Sequence, residues 1–135
     1  MAEIAHLIEG LSKRAAATEA QVAAAEQFFA GKLPLDYIQF LQIANGGEGF
    51  IGEEYVVLWG VEELVDLNRG YEVEQSAPGL LVFGSNGGGE AFGFDTCSPD
   101  RPVVQIPFIG MNWEDAWSKG NSFSNFLRQL RKGIQ

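Results

Sequence analysis

The sequence predicts an α+β fold, one domain with a largely antiparallel sheet and flanking helices, and two observations carry that prediction. Apolar residues recur at helical spacing near the N-terminus, in one central segment and at the C-terminus, so the order reads helices, strands, helix, strands, helix. The strands between are short and glycine-bounded, and one neighbouring pair meets across an Asn-Gly turn, which favours hairpins over a repeating βαβ wind. At 135 residues and 46% hydrophobic, the chain is long enough for a single core. Its mean hydropathy, near zero, is that of a folded protein, and no repeat or low-complexity tract interrupts it.

Ile4, Ile8, Leu11, Ala15, Thr18, Val22, Ala25 and Phe29 step by four and three residues along one helical face. Gly10 and the capping-box pair Thr18 and Gln21 interrupt that stripe, which predicts two helical pieces over residues 1–32, packed on the rest of the domain. The Ala and Thr positions make too thin a seam for a coiled coil. Gly31 is placed to close the second piece. In "KLPLDYIQFLQIANGGEG", Pro34 stands at the first helical position and Tyr37, Phe40, Leu41 and Ala44 share one face. Asn45 and Gly46 are the residues that tolerate the left-handed conformation closing a helix.

"GFIG" and "EYVVLWG" read as two strands, apolar, β-branched and aromatic between glycines. "VEELVDLNRGYEVEQSAPG" follows, with Val61, Leu64, Val65 and Asn68 at helical spacing in a helix that frays into a loop before Pro78. Glu62, Glu63, Asp66, Glu72 and Glu74 give this segment a solvated acidic face, the candidate partner-binding surface.

"LLVFGSNGGGEAFGFD" invites a phosphate-loop reading, but no helix start and no Lys-Ser/Thr pair follow the glycines. Leu80–Gly84 and Glu90–Asp95 read instead as paired strands, with Phe92 and Phe94 on one face and Ala91 and Gly93 on the other. Asn86-Gly87 supplies the turn, and Gly88-Gly89 lets the chain enter the return strand with a bulge. "PVVQIPF" is a further strand, "IGMNWEDAWSKGN" an aromatic loop, and "SFSNFLRQLRKG" a last helix capped by Ser122. Phe123, Phe126, Leu127 and Leu130 form its buried stripe, and Arg128, Arg131 and Lys132 sit toward its negative end.

Chemistry has little to work with. His6 stands alone in the first helix, away from the glycine loop and the carboxylate pairs. With one His and one Cys, a zinc site would need two carboxylates as well, so no metal site is expected. Ser85 has Phe83 where a nucleophile elbow needs glycine, and Cys97 follows Asp95-Thr96, an acidic setting that suits no thiolate nucleophile. Glu53-Glu54, Glu62-Glu63 and Glu90 with Asp95 are carboxylate pairs, yet adjacent acids on a strand point to opposite faces. No catalytic residue is assigned and no cofactor is expected. The single Cys97 and a start without a secretory pattern point to the cytoplasm, and no run of about eighteen apolar residues suggests a membrane span. A formal charge of −9 repels nucleic acid and anionic membranes and suits a basic partner.

Five segments, in order "LPLDYIQFLQIANGGEGF", "LWGVEEL", "LLVFGSNGGGEAFGFD", "PVVQIPFIGMNWED" and "SFSNFLRQL", give the chain a resemblance to the SUKH superfamily, the Smi/Knr-like proteins. The resemblance runs from about Leu33 to Leu130, so residues 33–135 read as the SUKH-like domain and residues 1–32 lie largely outside it. It implies an α+β domain. For bacterial members it implies an immunity protein that binds and neutralises a toxin domain, often a nuclease of a polymorphic toxin system, whereas fungal relatives act in cell-wall and signalling regulation. No shared catalytic set comes with the family. The resemblance places on this chain a helix motif of Pro34, Tyr37, Phe40 and Leu41, a turn at Asn45, Gly46 and Gly47, and a hairpin of Gly87, Gly88, Gly89 and Glu90 with Phe92, Phe94 and Asp95.

The expected function is therefore a non-enzymatic cytoplasmic immunity protein whose partner is a basic toxin domain, with no direct contact to nucleic acid or membrane. The sequence leaves the oligomeric state open. The alternatives are a regulatory interaction module without a toxin partner and a small hydrolase working through carboxylates.

Overall fold

The computed structural model describes residues 2–133. Its 7-stranded sheet is antiparallel throughout and runs in sequence order: β1 (Leu11–Lys13), β2 (Gly47–Ile51), β3 (Glu54–Leu58), β4 (Leu80–Ser85), β5 (Glu90–Asp95), β6 (Val103–Pro107) and β7 (Trp117–Gly120). Helices α1 (Ala2–Leu7), α2 (Glu19–Phe28) and α3 (Leu35–Leu41) precede or interrupt its first strands. Then α4 (Leu64–Gly70) and α5 (Val73–Ser76) connect β3 to β4, and α6 (Phe123–Lys132) follows β7. The α+β class and the antiparallel sheet are those the sequence predicts.

The central hairpin positions everything else. Phe83, Phe92 and Phe94 lie fully buried under α3 and α6, where Phe94 meets Tyr37 with ring centres 5.2 Å apart and Phe92 meets Phe126 at 4.9 Å. The expected bulge is present but sits in the other strand. Val82 pairs with Gly93 and Gly84 with Phe92, so Phe83 is the extra residue, and its ring stacks on Phe94 at 4.5 Å. The glycines form the loop itself. Asn86 ties that loop: its N–H donates to the Glu90 carbonyl at 3.0 Å, and its side-chain oxygen accepts from the N–H groups of Gly88 and Glu90.

The local start and stop signals behave as physical chemistry dictates. Thr18 and Gln21 form both bonds of the capping box, and Ser122 caps α6 by accepting from the Asn125 N–H at 3.0 Å. Pro34 is one step outside its expected place, capping α3 in an extended conformation instead of opening the first turn. Gly31 takes the left-handed conformation past α2, but the left-handed residue that first closes the helix is Ala30, at φ 56°. That conformation costs a residue with a Cβ about 1 to 2 kcal/mol.

Three segments differ from expectation, each for a non-local reason. Leu11–Lys13 is a strand, not helix, because Gly47 and Gly49 in β2 leave room for it: a Cβ at Gly47 would stand 2.4 Å from the Ser12 carbonyl oxygen. Trp117–Gly120 is a strand paired with β6 where a loop is expected, preceded by a short 3-10 turn at Trp113–Asp115. Gly46 does adopt positive φ and Asn45, in the bend before it, does not. Asn45 is buried, with its side chain bonded to the start of the acidic segment.

Two polar devices complete the packing. Asn68, buried on α4, donates to the Val82 carbonyl at 2.9 Å and accepts from the Val82 N–H at 3.0 Å, replacing β3 where that strand has diverged from β4. The N-terminal helix docks on the last one: Ile4, Leu7 and Ile8 are buried, Arg128 pairs with Glu3 at 2.9 Å, and Arg131 donates to the Leu7 carbonyl at 2.7 Å.

Candidate partner-binding surface

The five acidic residues of the α4 region divide into two groups. Glu62 and Glu63 are committed within the chain. Arg14 donates to Glu62 at 2.5 Å and to Glu63 at 3.0 Å, Asn45 donates to Glu62 at 2.7 Å, and the Gly60 N–H donates to Glu63 at 2.9 Å. Burial pushes the Glu62 carboxyl up, but the bonds from Asn45, its own backbone and Arg14 outweigh it and hold the group below the usual carboxylate range. Glu74 accepts from the Gly79 N–H at 3.3 Å. Asp66 and Glu72 are exposed and make no side-chain bond among the described residues. Glu72 also sits in the left-handed conformation at φ 55°, held there between α4 and α5.

Beside Glu72 lies a stack of rings. Trp59, at the end of β3, is nearly parallel to Tyr71 with centres 6.1 Å apart, and Phe108, just past β6, packs on Tyr71 at 4.5 Å. Tyr71 is 48% exposed and the adjoining Ile109 is 94% exposed. Three separate chain segments meet here, so neither the stack nor Ile109 was legible as a site. The one local hint is Phe108-Ile109, two large apolar residues beyond the end of a strand.

The glycine loop joins this stack to a second aromatic pair. On one side the Phe108 N–H donates to the Gly89 carbonyl at 3.0 Å. On the other, Gly87 abuts the Tyr55 ring, whose edge a Cβ there would approach to 3.2 Å. Tyr55 packs against Phe50 with centres 5.2 Å apart, and Phe50 is 58% exposed. The Tyr55 hydroxyl donates to Glu48, a bond that raises the phenol's pKa. Exposed rings thus flank bare backbone on two sides, with an acidic fringe at Glu48 and Glu72.

The other candidate groups are dispersed. Glu54 binds Lys119 at 3.2 Å across the sheet, and Glu90 and Asp95 stand at opposite ends of β5. Asp95 accepts from the Cys97 N–H, and Ser85 accepts from the Gly87 N–H, both as turn-forming contacts. His6 is exposed on α1, 3.5 Å from Glu9, and Cys97 is exposed in the loop after β5. No group of three His, Cys, Asp or Glu side chains among the described residues could hold a metal ion. No described helix is long and apolar enough to cross a membrane.

A family model described as the SMI1 / KNR4 family (SUKH-1) matches residues 16–129. That span takes in α2, the acidic segment and the glycine hairpin, and ends within α6. No curated protein matches the chain. The match covers most of the sequence, and the chain belongs to the SMI1 / KNR4 family (SUKH-1).

Proposed function

We propose that this chain is a non-enzymatic immunity protein that acts in the cytoplasm by binding and neutralising a basic toxin domain, such as a nuclease, through the surface around the glycine loop. Family membership supports the class of function. One observation carries the choice of surface: exposed aromatic rings flank a loop whose Gly88 the fold does not require. Gly88 has a φ open to any residue, and a Cβ there would meet only the Asn86 side chain, at 3.6 Å. Bare backbone at an unconstrained position is where a partner approaches most closely. Tyr71, Phe108 and Ile109 offer the large apolar anchors that dominate binding energy, and Asp66 and Glu72 are the uncommitted charges of the acidic segment that draw in a basic surface.

The test uses any toxin domain found encoded beside this chain, measured by calorimetry and by protection of growth. Tyr71→Ala is expected to weaken binding by about thirtyfold, a loss of about 2 kcal/mol. Gly88→Trp is expected to abolish protection while melting like the parent. Reversing Asp66 and Glu72 to Lys is expected to slow association most at low salt and to leave dissociation nearly unchanged. Full protection by the Gly88→Trp protein would move the interface elsewhere, and no affinity for any neighbouring toxin domain would favour the regulatory module.

A further inference from the structure

A cleft of about 690 Å³ opens on a different part of the molecule, between the end of α2, the α4–α5 segment and the start of β4. Phe28, Phe29, Pro78 and Leu80 give it apolar walls, and Lys32, Arg69 and Cys97 also line it. The volume falls within the range of about 300 to 1,000 Å³ typical of small-molecule sites. Its charge runs against the rest of the protein. Four cations elsewhere are committed: Arg14 to Glu62 and Glu63, Lys119 to Glu54, Arg128 to Glu3, and Arg131 to main-chain carbonyls. Lys32 and Arg69 meet no carboxylate among the described residues. The Arg69 guanidinium instead lies over the Phe28 ring, 4.8 Å from its centre, which orients the group and leaves its N–H donors free. Glu74 also lines the cleft, but its carboxylate is turned to the Gly79 N–H.

We propose that this cleft is a binding site for a small organic anion with an apolar body, the body against Phe28, Phe29 and Pro78 and the charged group held by Arg69 and Lys32. The complementarity is one of sign: in a chain of net charge −9, two cations that meet no carboxylate among the described residues line one apolar cleft. The site is distinct from the proposed toxin-binding surface around the glycine loop, although the α4–α5 segment borders both.

Cys97 is the sole thiol of the chain and lines this cleft, so it reports occupancy directly. The probe is 8-anilinonaphthalene-1-sulfonate, compared with neutral N-phenyl-1-naphthylamine, titrated into the folded protein by fluorescence while the alkylation rate of Cys97 by iodoacetamide is followed by mass spectrometry. The sulfonate is expected to saturate one site and to slow Cys97 alkylation about fivefold or more, as an occupant of the cleft must. Replacing Lys32 and Arg69 together by Gln is expected to weaken the sulfonate about tenfold or more, the cost of losing charge-assisted hydrogen bonds, with the neutral compound unaffected. Both side chains are exposed, so the variant keeps its fold. Saturation without protection of Cys97, equal affinity of the two compounds, or an unchanged affinity in the variant would each overturn the proposal.

Discussion

Tyr37, Phe83, Phe94 and Phe123 pack ring on ring under α3 and α6, each no more than 1% exposed, whereas Trp59, Tyr71 and Phe108 stack at the surface with Tyr71 48% exposed. The chemistry is the same and the surroundings are not. Each inner ring meets several others, many edge to face, and has no free side, so its whole area stabilises the fold. In the outer stack Trp59 is almost covered, at 9% exposed, while Tyr71 and Phe108 keep area that another molecule can cover. Aromatic content alone therefore says little about role, and it is the uncovered side that separates a core from an anchor.

The contrast is broken most directly by truncation. Phe83→Ala is expected to cost about 3 to 5 kcal/mol of unfolding free energy, a large share of what holds a domain of this size together. Chemical denaturation measures it, and a loss under about 1 kcal/mol would mean that the bulged ring is not a core element.

A smaller effect follows from the one polar atom inside the inner cluster. The Tyr37 hydroxyl is buried with no hydrogen-bond partner, and burial pushes its pKa well up. Tyr37→Phe is expected to gain about 1 kcal/mol by removing that unsatisfied group. The sign for pH follows from the raised folded value. Stability is complete below the ordinary phenol pKa of about 10 and falls as pH climbs above it, because only the unfolded chain can ionise there. The Phe variant should lose that alkaline fall, as urea midpoints at pH 9 and 11 would show.

Beside the outer surface the sensitivity has the opposite direction. Glu62, held below the usual range by Asn45, its own backbone and Arg14, contributes above about pH 4, and the contribution disappears as pH falls through its folded value. Glu62→Gln is expected to flatten the acid limb of a stability–pH profile, and an unchanged limb would show the clamp to be inert. The smallest expected change belongs to Tyr71→Ala, under about 1 kcal/mol in stability for an exposed ring, against its thirtyfold effect on binding. A Tyr71→Ala protein as destabilised as Phe83→Ala would erase the distinction between the clusters.

Signals that act within a few residues are legible in the sequence. The Thr18 and Gln21 box, the Ser122 cap, the alternation of Phe92 and Phe94 and the turn at Asn86 and Gly87 all depend on neighbours in sequence. What escaped was set at long range. Leu11–Lys13 continues a helical stripe yet pairs with β2, because the space that admits it is made by Gly47 and Gly49. Asn45 carries the composition of a turn but spends its side chain on Val61 and Glu62, and Asn68 looks like a helix position while completing a strand ladder. The acidic surface was legible as a count of charges and not as a site, since the positions of Arg14, Asn45 and the Gly60 N–H separate the bound Glu62 and Glu63 from the free Asp66 and Glu72.

The docking of α1 on α6 has a consequence during synthesis. A helix of 6 residues is too short to persist alone in water, and the surface that receives Ile4, Leu7 and Ile8, with the Arg128 and Arg131 contacts, belongs to the opposite end of the domain. Residues 2–7 therefore leave the ribosome with nothing to fold against. At about 5 to 20 residues per second they wait on the order of ten seconds before α6 emerges. Over that interval the meander can assemble strand by strand in the order it is made, and α1 closes last, once the final helix is free of the exit tunnel.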